Sequence, residues 1–163
     1  MGREVRRVPK DWEHPHRTDG RDDYQPMYDE SFAEAAREWK IQFAEWEDGK
    51  RPYYCTDSQT DEFWEYEGDP PDRKFYRPEW TDAERTHWQM YETTSEGTPI
   101  SPVMETPELL ARWLADNKAS AFASDTATYD QWLNMIRVGY ACSAEFSRET
   151  GMISGVVAIS LRK

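Results

Sequence analysis

The sequence predicts an α+β fold in which about four helices pack on a small antiparallel sheet, in a single domain with long polar loops. Four segments begin with a helix-capping pattern and continue with apolar residues three or four positions apart. Polarity alternates weakly in a short segment near the N-terminus, and a segment near the C-terminus is rich in β-branched residues, so both favour strands. Aromatic residues make up 14% of the 163 residues, enough for a sizeable core although 32% are charged.

Residues 3–9 predict a short edge strand, because their polarity alternates weakly and a proline ends the run. The loop that follows is expected to be anchored by Trp12 and to turn at residues 19–20, with residues 13–28 loosely packed. His14 and His16 form a His-x-His pair. The third histidine and the two cysteines complete no zinc-ligand spacing with that pair, so no metal site is predicted.

Ser31 and Glu34 fit a capping box, which predicts the start of the clearest helix in the chain. Gly49 and Pro52 are expected to end it. A stripe of apolar residues at steps of three and four is typical of a helix face that packs into a core. The stripe consists of Phe32, Ala36, Trp39, Phe43 and Trp46.

Residues 53–56 and 62–67 have strand-like composition and flank a polar turn, which favours a β-hairpin whose residues 56–62 are loosely packed. Acidic and aromatic residues are interleaved there. Aromatic rings supply rigid contact area and carboxylates select a basic partner, so the hairpin is either a protein-binding surface or an ordinary solvated one. The predicted partner-binding residues are Asp57, Asp61, Glu62, Trp64, Glu65, Tyr66 and Glu67.

Residues 80–114 predict a helix, a stiff polar loop and a second helix. Thr81 and Glu84 fit a capping box for a helix over residues 80–91, and Thr106 followed by a proline predicts the second start. Leu109, Leu110, Trp113 and Leu114 are expected on the buried side of the second helix. The loop between the helices is either a plain connection or a ligand site.

This loop and its flanks supply candidate residues for binding a nucleotide. Aromatic rings can stack on a base, hydroxyl and amide groups can hold phosphate, and arginine can neutralise its charge. The predicted ligand-binding residues are Arg77, His87, Tyr91, Thr93, Thr94, Ser95, Thr98 and Ser101. His87, Glu92 and Ser95 are residue types that could form a hydrolytic site, but nothing in their spacing indicates one. No catalytic residue and no cofactor is therefore predicted.

The last part of the chain predicts one more helix and one more strand. Thr128 and Gln131 fit a capping box, and Gly139 is expected to end that helix. Tyr129, Trp132, Leu133 and Ile136 are expected on its buried side. Residues 152–161 are β-branched and predict a buried strand beside the N-terminal one.

The net charge of −12 lies in one third of the chain. Residues 22–72 hold sixteen acidic and four basic groups, whereas residues 1–21 and 73–163 carry net charges of +2 and −2. Direct binding to nucleic acid is not expected, because it depends on cationic groups that displace counterions from phosphates. A basic protein partner, a protein surface that normally holds nucleic acid, and simple solubility all fit this charge.

Cysteine usage and hydropathy bear on location. Cys55 and Cys142 lack CxxC spacing, which suits a reducing cytoplasm and leaves a single disulfide open. No apolar run approaches the roughly 18 residues of a membrane span, and the N-terminus does not have the composition of a signal peptide.

Several separated motifs resemble a family of small proteins encoded by tailed bacteriophages and prophages. The resemblance spans most of the chain and is weakest in the acidic middle third and after Gly139. The matching segments are residues 5–9 (VRRVP), 11–12 with 14–15 (DW and HP), 76–80 (YRPEW), 97–102 (GTPISP) and 128–132 (TYDQW). It implies the cytoplasm of a bacterial host and carries over no catalytic residue.

Small acidic phage proteins often counter host defence, so we expect an accessory protein that binds and inhibits a host factor. The expected target is an anti-phage defence component, inhibited in the manner of an anti-CRISPR or anti-restriction protein, with the carboxylates of residues 22–72 standing in for phosphates. One alternative is a nucleotide-binding sponge that sequesters a defence signal through residues 80–102. A second alternative is a small enzyme that modifies a host target.

Overall fold

A computed structural model describes residues 2–21, 23–51, 62–93, 97–147 and 151–161. Within these ranges the fold is α+β, with five helices, four of them seven residues or longer, three antiparallel sheets and one parallel pair of short strands. The chain divides into two compact units: the first comprises Met1–Met27 and Trp80–Lys163, and the second comprises Tyr28–Glu79. That the two units form one domain stays a prediction.

The strands are short and the helices few. In chain order the strands are β1 (Arg3–Val8), β2 (Tyr28–Ser31), β3 (Tyr76–Arg77), β4 (His87–Glu92), β5 (Thr98–Pro99), β6 (Ser120–Phe122), β7 (Asp125–Thr126), β8 (Tyr140–Ala141), β9 (Ala144–Ser147) and β10 (Gly151–Ser154). The helices are α1 (Phe32–Glu47), α2 (Phe63–Glu67), α3 (Pro107–Asp116), α4 (Tyr129–Val138) and α5 (Gly155–Leu161), with one 3-10 turn at Arg73–Phe75.

The main sheet of the first unit has the strand order β5-β4-β1-β8. β1 pairs antiparallel with β4 from Arg3 opposite Glu92 to Val8 opposite His87, and β8 lies on its other side. The predicted N-terminal strand is therefore confirmed, but its predicted edge position is wrong. Pro9 follows the last paired residue, so its missing amide removes no hydrogen bond from the ladder.

Alternation along β1 and β4 gives this sheet two different faces. One face presents Val5, Trp88 and Met90 to the hydrophobic core, which α3, α4 and α5 complete. The other face presents Arg6, Gln89 and Tyr91, all buried and all polar, to the N-terminal loop. A buried polar face must be hydrogen-bonded throughout, and those hydrogen bonds organise the candidate site.

The helix predicted over residues 80–91 is wrong, although one half of its capping box forms. The Glu84 carboxylate accepts hydrogen bonds of 2.7 Å from the amide and from the hydroxyl of Thr81. The chain completes one turn and then enters β4, where the side chains at positions 88 and 90 fill the core. Pairing with β1 gives this segment both its backbone hydrogen bonds and its burial, and this outweighs the local helix signal.

The other three capped helices are confirmed. Ser31 and Thr128 form complete capping boxes at the starts of α1 and α4, and the Thr106 hydroxyl accepts a hydrogen bond of 3.1 Å from the amide of Leu109 in α3. Leu109 itself was predicted to be buried but is 49% exposed. It lies about 100° around the helix from Leu110, which is buried in the core.

The strand predicted over residues 62–67 is wrong, because the segment contains the short helix α2. Phe63 is buried in the second unit, where its ring packs against Trp39, Phe43 and Trp46 of α1 with centroid distances of 5.2, 5.5 and 5.7 Å. The first strand of the predicted hairpin, residues 53–56, lies outside the described residues.

The strand predicted over residues 152–161 is only partly right. β10 ends at Ser154 and pairs with β9 rather than with β1, and α5 follows. Gly155, the first residue of α5, lets the chain lie close to residue 142, since a Cβ atom there would lie 2.1 Å from the Cys142 carbonyl oxygen. The periodicity of a short apolar run does not distinguish a buried strand from a buried helix.

Candidate functional site

A groove of about 760 Å³ opens over the polar face of the main sheet in the first unit. The N-terminal loop, β4, the segment after β5 and α3 each contribute to its walls. The lining residues are Trp12, Glu13, His14, His16, Tyr24, Gln89, Pro99, Ile100, Ser101, Pro102, Val103 and Trp113. We call this the aromatic groove.

Aromatic contacts hold the N-terminal loop on the sheet. The indole Nε1 of Trp12 donates a hydrogen bond of 3.1 Å to the Tyr91 hydroxyl. The Trp12 and Trp80 rings pack edge to face, with their centroids 4.7 Å apart. The Tyr24 ring packs against His14 at 5.5 Å and against His16 at 4.6 Å. The loop is thereby fixed as one wall of the aromatic groove.

A chain of side-chain hydrogen bonds forms the floor of the groove. Gln89 donates from Nε2 to the Ser101 carbonyl oxygen at 2.9 Å, so its Oε1 atom is the acceptor for the Tyr91 hydroxyl at 2.8 Å. The Ser101 hydroxyl accepts from the Met90 amide at 2.9 Å and donates to the Pro102 carbonyl oxygen at 2.9 Å. The floor is polar, yet these side chains form their hydrogen bonds with other groups of the protein.

His14 completes this network and is only 6% exposed. Its Nε2 atom lies 2.7 Å from the Gln25 carbonyl oxygen and must carry the proton of that hydrogen bond. Burial is the largest influence on the His14 pKa and lowers it; the bond to Gln25 opposes this, and the positive charges of Arg6 and His16 add to the lowering. His14 is therefore neutral at pH 7.

The second nitrogen of His14 is held in a less favourable contact. Nδ1 lies 3.3 Å from the Tyr91 hydroxyl oxygen. Since Gln89 accepts the tyrosine proton, a neutral His14 in this tautomer receives no full hydrogen bond there, whereas a protonated His14 would donate one. Hydrogen-bond geometry thus favours the proton that burial disfavours.

Gly97 is required beneath the groove. It has a φ angle of +89°, and a Cβ atom there would lie 2.1 Å from the Met27 carbonyl oxygen and 2.5 Å from Nη2 of Arg6. Arg6 donates to that same carbonyl at 2.5 Å, pairs with Glu4 at 2.9 Å and lies 4.3 Å from the centre of the Tyr91 ring. The close approach of these groups leaves no room for a side chain.

The structure does not bring the predicted ligand-binding residues into one site. Ser101 lines the aromatic groove, and Tyr91 lies in its floor. The others that the structure describes make separate contacts. Arg77 binds Asp29 within the second unit, His87 contacts Thr86, Thr93 accepts from the Gly2 amide, and Thr98 lies in β5. Thr94 and Ser95 lie outside the described residues.

Sequence reasoning missed most of the groove. Trp12 was expected to anchor its loop, but nothing in the sequence placed it in one groove with Trp113 of α3 and Tyr24. None of the twelve lining residues is lysine or arginine, so a phosphate group has no cationic side chain to bind there.

A second candidate surface lies in the second unit, on the outer side of α1. Glu34, Glu38, Ile41 and Glu45 follow one another at steps of four, three and four, which places them along one side of the helix. Ile41 is 52% exposed between these carboxylates. They border a depression of about 650 Å³.

α2 adds further acidic and aromatic groups to the exposed surface of this unit. Glu62, Glu65 and Glu67 are exposed, and Trp64 is 47% exposed. Tyr66 is half-buried and stacks on Trp46 at 5.4 Å. The remaining predicted partner-binding residues, Asp57 and Asp61, lie outside the described residues. We call the exposed carboxylates of α1 and of residues 62–67, with Ile41 and Trp64, the acidic surface.

Comparisons with protein-family models, with curated proteins and with solved structures found no match. The resemblance to phage and prophage proteins stays a prediction. No helix in the described part of the chain is long and apolar enough to cross a membrane.

Proposed function

We propose that this protein is an acidic accessory factor that binds a basic protein partner through the acidic surface and thereby inhibits it. The observation that supports this most directly is the stripe on α1, where exposed Ile41 lies between Glu38 and Glu45. Apolar contact supplies area in an interface, and the surrounding charges select and orient the partner.

The helix holds these carboxylates at fixed spacings on a rigid element. An array of this kind attracts a cationic protein surface over distances of about 10 Å at 0.1 M salt. A surface that normally holds nucleic acid is one such target, with the carboxylates taking the places of phosphates. This is the mimicry version of the proposal.

The proposed setting is the cytoplasm of a bacterial host, and the proposed target is an anti-phage defence component of the CRISPR or restriction type. The support for this setting is the resemblance of five separated motifs to phage and prophage proteins. The nucleotide-binding and enzymatic alternatives stay predictions.

Charge reversal with a matched control tests the proposal. One variant changes Glu38, Glu65 and Glu67 to Lys on the acidic surface, and the control changes Glu105, Asp116 and Asp125, all exposed in the first unit, to Lys. Both shift the net charge by the same amount. Each protein is immobilised, and proteins captured from bacterial lysate at about 150 mM salt are quantified by mass spectrometry.

We expect the first variant to lose a protein that the unmodified chain and the control both retain. In cells carrying the defence system of that protein, the first variant should also fail to restore phage plating. If both variants lose the captured protein equally, net charge rather than the acidic surface explains the binding. If both variants retain it equally, the proposal is contradicted.

A further inference from the structure

The aromatic groove of the first unit has the features of a peptide-binding site that is separate from the acidic surface. Three large rings contribute to its walls: Trp12, Tyr24 and Trp113. Tyr24 is 39% exposed, and the two tryptophans are half-buried, so a ligand can reach each ring. Its volume lies within the ~300–1,000 Å³ of typical ligand sites.

The floor of the groove provides no hydrogen bond that a ligand must match. Gln89, Ser101 and His14 already bond to protein groups. A ligand in the groove would therefore contact the exposed parts of the rings and the apolar groups of residues 99–103. Prolines at positions 99 and 102 make that wall rigid, which lowers the entropy lost on binding.

The charge of the lining selects a cation. Glu13 is the one carboxylate among the lining residues, none of which is lysine or arginine, and the buried His14 is neutral at pH 7. The Glu13 carboxylate is exposed and pairs with no cation in the part of the chain that the structure describes. Aromatic faces also attract cations. Phosphates and carboxylates are disfavoured, because the Glu13 carboxylate repels them and the aromatic faces do not attract anions.

We propose that the aromatic groove binds a short extended segment of a basic protein, with an arginine on the aromatic rings beside Glu13 and with proline or aliphatic residues along residues 99–103. Arginine fits better than lysine because its planar guanidinium stacks on rings. An extended, proline-bearing segment fits because such segments dock in open grooves lined by aromatic residues. The partner is of the same class as in the proposed function, but the surface is different.

Titration with synthetic peptides tests the groove without any lysate partner. The probe is a capped hexapeptide of four prolines and two arginines, compared with peptides that carry lysine, glutamine or glutamate at the two arginine positions. Two-dimensional NMR follows the indole N–H signals of Trp12 and Trp113, with Trp46 of the second unit as the internal reference. We expect saturable shifts of the first two signals with the arginine peptide, weaker ones with lysine and none with glutamate.

Paired variants separate the groove from general charge. Glu13→Gln should lower the affinity for the arginine peptide about 2- to 5-fold, as expected for the loss of an exposed ion pair. Glu105→Gln, outside the groove, should leave that affinity unchanged. Tyr24→Ser should weaken it further, whereas Phe146→Ser, at an exposed ring elsewhere, should not. An unchanged indole signal of Trp132, which is buried in the core of the first unit, confirms that each variant is folded.

Three results would overturn the proposal: no saturable shift at Trp12 and Trp113, stronger binding of the glutamate peptide, or equal effects of the two glutamine variants. The lysine variant at positions 38, 65 and 67 separates this proposal from the proposed function. If peptide binding falls in that variant more than in its charge-matched control, the peptide occupies the acidic surface and the groove proposal fails. If the lysine variant loses no protein that the unmodified chain captures from lysate, while the peptide still shifts the Trp12 and Trp113 signals, the proposed function fails and the groove proposal stands.

Discussion

Single buried polar residues organise the groove, and His14 shows the balance of forces most clearly. Burial and nearby positive charge lower its pKa, while the bond to Gln25 and the contact with Tyr91 favour the proton. The result is an uncharged floor at neutral pH that is sensitive to mild acid.

Stability should therefore fall as the pH drops below about 6.5, the ordinary pKa of histidine. The unfolded chain binds a proton at His14 there before the folded protein does, so the unfolded state gains relative to the folded state. Above this pH His14 is neutral in both states and contributes no slope. The unfolding free energy is measured with urea at pH 7.5, 6.5 and 5.5. It should fall less with decreasing pH for His14→Gln than for the unmodified protein, and an equal fall in both would contradict the assignment.

Gly97 offers a test of close packing at one residue. Gly20 has a similar φ angle, +84° against +89°, but nothing lies within 4 Å of its missing Cβ atom. Gly20→Ala should cost about 1–2 kcal/mol of unfolding free energy through backbone strain alone. Gly97→Ala should cost clearly more, because its Cβ atom would meet Met27 and Arg6. Urea denaturation measures both, and similar costs would mean that the neighbours move aside.

At the level of elements, the same local signal has two outcomes. The Thr-x-x-Gln pattern at residue 128 begins α4, whereas the Thr-x-x-Glu pattern at residue 81 begins a single turn before β4. In both places the side chain three residues on accepts a hydrogen bond from the threonine amide. What differs is the continuation: α4 buries Trp132, Leu133 and Ile136 along one side, whereas residues 88 and 90 reach the core only when the chain is extended.

Thr128→Ala should cost about 0.5–2 kcal/mol, the usual range for the loss of a helix cap. Thr81→Ala should cost less than half as much, because no helix depends on it. Both hydroxyls are exposed and the substitution is the same, so the comparison isolates the element that follows. Comparable losses in urea unfolding would indicate that the turn at residue 81 positions β4.

At the scale of the whole molecule, charge is divided between the two units. The second unit holds fifteen acidic and seven basic residues within Tyr28–Glu79, and the first holds seventeen and thirteen. Two cations of the first unit, Arg3 and Arg6, are buried against Glu92 and Glu4. The charge test under the proposed function belongs to this scale, since it compares equal charge reversals placed on different units.

The sequence by itself determined the α+β class, the starts of α1, α3 and α4 and the location of the excess negative charge. These follow from local rules: a capping side chain bonds within three residues, and net charge is a sum over the chain. The acidic residues at positions 62, 65 and 67 are exposed, although the segment that follows Glu62 is a helix rather than the predicted strand; that they bind a partner stays a prediction.

Only the tertiary structure decided that residues 87–92 form β4, that β1 is an interior strand and that Trp12, Tyr24 and Trp113 line one groove. Each of these depends on partners far away in the chain, such as the pairing of Val5 with Met90 and the bond from Trp12 to Tyr91. The free energy of such contacts comes from burial and from hydrogen bonds between distant segments, and no local pattern specifies which segments will meet.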